Sequence, residues 1–322
     1  MEYLADFPRT IGEFDERFHS DEACRAYLFR ARWPDGWKCP RCGRADGWLN
    51  RRGRVQCPDC RYQCSVTAGT VFHATKKSLR LWFKAIFLMM TQRNGISARS
   101  LSEMLGVGYP TAWTWLHKLR RVLFGREHAP LDGPVEADET YWGGYRPGEQ
   151  GRRKGGGSKD LVLVAVEDRG ASAGRVRLSV LPDHTGQSIA GNLERDVSAG
   201  SEVHTDGLAS YRRLSAHGFV HRPTVLGAKD RSRAARELPH VHIVIGLLKR
   251  WLLGTHQGAV RTSHLPAYLE EFEFRHNRRR AKERSRLFQA VVQLALGRRA
   301  DRYRDIIGGF RPNVAPQPVG AT

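Results

Sequence analysis

Residues 133–144 read GPVEADETYWGG. Asp132-Gly133-Pro134 breaks the preceding pattern, and a short strand carrying Asp138 opens beyond it. Two further strand-like runs follow, the apolar LVLVAVED at 161–168 and the alternating GRVRLSVLP at 174–182. The period then changes. TGQSIAGNLERDV (185–197) reads as a helix, SEVHTDG (201–207) as a strand ending at Asp206, and LASYRRLSAHG (208–218) as a helix. VHRPTVLG (220–227) reads as another strand, and LPHVHIVIGLLKRWLLG (238–254) and HLPAYLEEFEFRHNRRR (264–280) as helices. Three consecutive strands, helices for the sheet faces and carboxylates at strand ends match a mixed-sheet α/β domain of the RNase H-like kind.

Asp138 and Asp206 lie 68 residues apart, each near the end of an expected strand. Cleaving a phosphodiester needs an activated nucleophile and a neutralised leaving oxygen. Divalent ions held by carboxylates that converge from separate elements supply both. Mg²⁺ takes oxygen ligands and keeps several waters, so a sparse protein shell is enough. Strand alternation turns Glu139 away from Asp138 and leaves Glu136 on the same face, where both are expected to act as supports. The glycine-rich basic segment Gly151–Lys159, with Arg152, Arg153, Lys154 and Lys159, reads as a loop able to clamp a DNA backbone.

Upstream, Cys39-Pro-Arg-Cys42 and Cys57-Pro-Asp-Cys60 form two knuckles separated by fourteen residues. Two CxxC turns complete a tetrahedral thiolate shell, which suits a structural Zn²⁺ and leaves no open position for substrate. Cys24 and Cys64 fall outside the pairing and are expected to be small buried groups. Arg41, Arg44, Arg51, Arg52, Arg54 and Arg61 decorate this ribbon. Before it, Ser20 is placed to cap a short helix. After it, SLRLWFKAIFLMMT (78–91), SARSLSEMLG (97–106) and a helix from Pro110-Thr111 to Leu123 have the layout of a helix-turn-helix. Trp113, Leu116, Leu119 and Leu123 are its expected buried stripe. His117, Lys118, Arg120 and Arg121 are expected off that stripe, in reach of phosphate.

The chain has 322 residues and a formal net charge of +20, from 53 Lys+Arg against 33 Asp+Glu. So large an excess repels itself and calls for a polyanionic partner, for which duplex DNA is the first candidate. An anionic membrane is the weaker one, since no segment is both amphipathic and lysine-rich. No signal-like apolar core opens the sequence and no run is long enough to span a bilayer, so a reducing, cytoplasmic and nucleoid-associated setting is expected. There, six cysteines are not a disulfide framework.

From about residue 20 to 280 the chain resembles a bacterial insertion-sequence transposase superfamily of the DDE type, with an N-terminal zinc ribbon. The strings that carry the resemblance are WKCPRCG, CPDCRYQCSVTAGTVFHATKKSLRLWF, VEADETYWGG, HTDG, KRWLLGTHQGAV and HLPAYLEEFEFRHNRR. The resemblance makes Asp138 the first catalytic carboxylate and Asp206 the second. It puts His242 at the third metal position, seven residues before Lys249, which would reach the DNA. Glutamate is usual at the third position; Glu237 is the alternative ligand. A neutral imidazole lowers the charge that holds two Mg²⁺ ions and suits softer ions better; Mg²⁺ or Mn²⁺ is the expected catalytic ion.

The resemblance further implies an Asp-Asp-His enzyme that binds terminal inverted repeats, frees a 3′-hydroxyl by hydrolysis and joins it to target DNA. Two ends must be joined, so a homodimer or larger assembly on DNA is expected. Rival readings are a zinc-ribbon regulator that does not cut, an RNase H-like nuclease without strand transfer, and an inactive copy. The expected domains are 1–75, N-terminal helix and ribbon; 76–128, helix-turn-helix; 129–290, catalytic; and 291–322, a partly disordered tail.

Overall fold

A computed structural model describes residues 8–124, 129–143, 159–224, 236–281, 285–299 and 301–309. Contacts divide the chain into two units, one of residues 1–125 with 281–322, the other of residues 126–280.

In the second unit, β4 (Val135–Trp142), β5 (Asp160–Asp168) and β6 (Ala173–Leu181) run antiparallel in succession. The chain then crosses through α6 (Gly186–Asp196), capped by Thr185, to β7 (Glu202–Thr205). β7 pairs parallel with β4, and β8 (Val220–Pro223) pairs parallel with β7. Among the described residues the strand order is β6-β5-β4-β7-β8, the 3-2-1-4-5 order of the RNase H-like fold.

Alternation along the strands feeds two cores. On one face Val162, Val164, Val166, Val176 and Leu178 pack against α7 (Pro239–His256) and α8 (Leu265–Asn277). On the other, Val135, Ala137, Leu163 and Ala165 pack against Ile189, Ala190 and Leu193 of α6 and against Tyr211. Asp138 is paired with Val164 across the β4–β5 ladder and so shares the α7 face. The segment expected to be a helix at 208–218 forms two short 3₁₀ turns instead, Ala209–Tyr211 and Leu214–His217. Tyr211 and Leu214 are drawn into the core, and Gly218 at φ 82° turns the chain into β8.

In the first unit, α1 (Ile11–Arg17) and α2 (Asp21–Arg32) are capped by Thr10 and Ser20. β1 (Trp48–Leu49), β2 (Arg54–Gln56) and β3 (Gln63–Ser65) make a small antiparallel sheet. α3 (Leu79–Thr91), α4 (Ala98–Leu105) and α5 (Tyr109–Leu123) follow, with Gly106 at φ 61° closing α4. α9 (Ser285–Leu296) packs against α3 and α5 in the same unit, where Phe288 joins Phe14, Phe18 and Phe83. The sequence reading split this helix at residue 290; its apolar face belongs wholly to the first unit. Residues 310–322 of the expected disordered tail lie outside the described residues.

The α5 stripe also differs from expectation. Ala112, Trp115, Leu116, Leu119 and Leu123 are buried, as are His117, Arg120 and Arg121. Lys118 is half-buried and Trp113 only half-buried. For Arg121 the cause is α10 (Tyr303–Ile307) and the chain around it: Arg121 donates to the carbonyls of Asp305 (2.9 Å) and Gly309 (2.7 Å). A sequence pattern read against one core does not foresee a second covering segment from 180 residues on.

Candidate active site

The ribbon's four thiols converge as the spacing required. Cys39 and Cys60 Sγ lie 3.5 Å apart, Cys42 and Cys57 Sγ 3.6 Å, and all four within 4.8 Å of one another. Tetrahedral Zn–S bonds of about 2.3 Å set sulfurs roughly 3.8 Å apart, so the shell fits a structural zinc. The two knuckles repeat one geometry: Cys39 N–H donates to Arg44 O and Cys57 N–H to Tyr62 O, each at 2.9 Å. The residue after each second cysteine is left-handed, Gly43 at φ 73° and Arg61 at φ 60°. Cys24 is buried, which pushes its thiol up to about 12, and Cys64 is half-buried.

In the second unit, β4 and β7 pair at Val135↔Val203 and Glu136↔His204, an offset of 68. The same offset sets Asp206 level with Asp138, beyond the last paired residues. The two carboxylates therefore face the gap where the parallel strands part. Asp138 Oδ1 accepts from Glu139 N–H (2.8 Å), and Asp206 Oδ1 accepts from Leu208 N–H (3.0 Å) in a turn just past β7. Burial, then the neighbouring Asp206, raise the Asp138 carboxyl to about 7, while Lys249 acts to lower it.

The first turn of α7 delivers His242, whose Nδ1 is 3.7 Å from Asp138 Oδ2. Its Nε2 is buried and has no hydrogen-bond partner. Lys249 stands seven residues on, two turns along the helix, and is exposed. Glu237 is exposed ahead of α7.

Asp138, Asp206 and His242 do not close as tightly as the cysteines. Among the described residues, the groups whose ligand atoms all lie within 4.8 Å are the four cysteines and a second trio, Glu136, Asp168 and His240. The donor set at the gap nonetheless suits a divalent ion. The buried Asp138 carboxylate is pressed by the neighbouring Asp206, which a bound cation would relieve, and His242 Nδ1 is close enough to join it as a donor. Glu139 lies on the other face, as alternation required. Burial raises its carboxyl to about 7 against the opposing Tyr211 hydroxyl.

The Glu136–Asp168–His240 trio was not foreseen as a group. Glu136 Oε2 accepts from Val241 N–H at 2.7 Å. His240 Nε2 lies 3.1 Å from Asp168 Oδ1 and 3.0 Å from Gly170 O. The only sequence signal was Glu136 sharing a strand face with Asp138. The basic loop of Gly151–Lys159 lies outside the described residues, save Lys159.

A sheet of this order bearing Asp138 and Asp206, preceded by a four-cysteine ribbon, is the architecture expected of a DDE-type transposase. Residues 130–277 match the ISXO2-like transposase domain, and residues 19–63 the transposase zinc-ribbon domain. Together the two take in more than half of the chain, which belongs to this insertion-sequence transposase family. An uncharacterized protein in transposable element ISH50 of Halobacterium salinarum is 27% identical over 291 residues, covering 80% of this chain and 91% of that protein. Two solved structures of Mos1 transposase also align, a paired-end complex with left transposon end and a pre-cleavage transpososome. They cover 61% and 65% of this chain and 76% and 77% of theirs, at 12% and 11% identity and TM-scores of 0.24 and 0.22. That likeness is too loose to carry detail across. No helix among the described residues is long and apolar enough to cross a membrane.

Proposed function

We propose that this transposase binds duplex DNA at the terminal inverted repeats of its element, hydrolyses the strand there, and joins the freed 3′-hydroxyl to target DNA. Asp138, Asp206 and His242 are the residues that hold divalent Mg²⁺ or Mn²⁺, and Lys249 contacts the DNA end. The bound ions supply Lewis-acid activation of the attacking oxygen and charge neutralisation of the leaving one.

The observation that carries this reading is the meeting of β4, β7 and α7: Asp138 faces Asp206 across parting strands and His242 across 3.7 Å. The chain's own residues have separable tasks. Asp138 and Asp206 concentrate negative charge in a half-buried gap, where a divalent cation would relieve their repulsion. His242 adds a neutral nitrogen donor, which makes the site less demanding of Mg²⁺ and more open to Mn²⁺. Lys249, exposed on the same helix, is placed to meet a phosphate as it enters.

The +20 charge, the ribbon arginines and the α3–α4–α5 module support DNA binding, with α5 as the groove-facing helix through its exposed N-terminal residues. Two such chains assemble on the paired ends, since joining both requires two active sites.

The test is incubation with Mg²⁺ or Mn²⁺, a supercoiled plasmid and a duplex bearing the element's terminal repeat, comparing wild type with Asp206→Ala. Covalent joining that the variant loses supports the proposal. Cleavage without joining would leave a nuclease, and binding without either product a regulator or an inactive copy.

A further inference from the structure

The first turn of α7 has no cap of its own. Leu238 at the N-cap makes no side-chain cap bond, and Pro239 opens the helix without an N–H. What holds this turn comes from the sheet. Val241 N–H donates at 2.7 Å to Glu136 Oε2, a side chain 105 residues away and only 3% exposed. On the preceding residue, His240 converges on the same cluster, its Nε2 at 3.0 Å from Gly170 O and 3.1 Å from Asp168 Oδ1, where β5 turns towards β6.

The placement of these tethers is specific. Glu136 stands two residues before Asp138 on the same face of β4, and Val241 one residue before His242. A serine at position 238 would have satisfied the helix end equally well, but it would not have tied that end to β4. The carboxylate instead crosses from strand to helix, beside the apolar packing of Val164, Val166, Val241 and Val244.

We propose that Glu136 and His240 are positioning residues that fix the rotation and height of the first turn of α7 on the sheet and thereby hold His242 against Asp138. The inference rests on the reading of Asp138 and His242 as metal ligands. Hydrogen bonds account for the close approach of the trio: Glu136 Oε2 is engaged by a backbone donor, and His240 Nε2 sits at donor distance from two oxygens. That distinguishes a tether from a second metal site, although the same three side chains could be asked to ligate.

The experiment uses the full-length, zinc-loaded protein. Amide hydrogen exchange over residues 239–246 and Mn²⁺ binding by electron paramagnetic resonance are measured for wild type, Glu136→Gln, Glu136→Ala, His240→Ala and Asp138→Ala. Glu136→Ala is expected to speed exchange in that turn roughly ten-fold and to weaken Mn²⁺ binding by a similar factor, with exchange elsewhere unchanged. Glu136→Gln, whose carbonyl accepts the same N–H, is expected to restore both. His240→Ala should loosen the turn about three-fold, and it decides the matter if Glu136→Ala does not fold.

Wild-type exchange in the alanine variants would overturn the proposal. So would a glutamine variant as damaged as the alanine one, because charge rather than an acceptor would then matter. Mn²⁺ binding that survives in Asp138→Ala but is lost in both Glu136 variants would make the trio itself the ion's ligands, against the proposal. Fast exchange in Glu136→Ala together with unaltered Mn²⁺ affinity in Asp138→Ala would uphold the tether and remove only the ligand reading of Asp138.

Discussion

His242 Nδ1 lies 3.7 Å from Asp138 Oδ2, a separation that a strand and a helix create between residues 104 apart in the chain. It is too long for a hydrogen bond, and the ring's other nitrogen is buried without a partner. The histidine is thus held close to the carboxylate without being satisfied by it.

An imidazole in this position should set the metal preference. His242→Ala is expected to lower strand joining at least about 100-fold, on the order of 3 kcal/mol in the barrier. His242→Glu is expected to keep activity and to shift it towards Mg²⁺, because a third carboxylate restores the charge that a hard ion needs. Joining assays at graded Mg²⁺ and Mn²⁺ concentrations check this. An unchanged metal preference in His242→Glu would remove His242 from the ligand set and return attention to Glu237.

The ribbon should depend on its metal for folding, since its small sheet buries little beyond Trp37, Cys39, Val55 and Cys57. Cys57→Ser is expected to lose the zinc and to make exchange fast over residues 37–66. The RNase H-like unit should keep its own protection. Zinc release to a colorimetric chelator and exchange mass spectrometry report the two halves separately. A ribbon that stays protected without zinc would contradict the structural role.

Much of this organisation was legible in the sequence because it rests on short-range rules. Two CPxC turns define a thiolate shell on their own, and the alternation from Val135 to Trp142 assigns Asp138 and Glu139 to opposite faces. The level match of Asp206 with Asp138 needed the parallel register, which no local pattern contains. Longer-range cover was the main thing missed. Arg121 was read as in reach of phosphate because the segment that covers it arrives some 180 residues later. The helix read at 208–218 failed for a related reason: Tyr211 and Leu214 are claimed by the α6 side of the sheet, and tight 3₁₀ turns deliver them there.

Glu167 gives the RNase H-like unit a defined acid sensitivity. Burial would raise its carboxyl, but Arg175, with help from Arg169 and the Asp132 N–H, outweighs burial and carries it down from 4.5 to about 2. Because the folded value is the lower one, its contribution is complete above pH 4.5 and is lost as the pH falls through about 2. Allowing for partners open to water, Glu167→Gln should cost about 2 kcal/mol at pH 7. The gap to wild type should narrow as the pH drops below 4.5. Urea unfolding at a series of pH values measures it, and a pH-independent gap would mean that packing rather than charge is lost.

Arg121 separates a structural arginine from a DNA-binding one. Its side chain is 8% exposed, and the guanidinium donates to the carbonyls of Asp305 and Gly309 and lies 3.6 Å from Asp301. Truncation to alanine strips two carbonyls, that of Gly309 buried, of a charged donor, and the expected cost is about 2–4 kcal/mol in the stability of the first unit. A phosphate contact would behave otherwise: its loss would leave stability alone and lower the slope of log affinity against log salt by about one. Arg121→Ala is therefore expected to lower the melting temperature and leave the salt slope of DNA binding unchanged. Thermal denaturation and fluorescence anisotropy across a salt series distinguish the two, and a reduced slope at unchanged stability would put Arg121 back on the DNA.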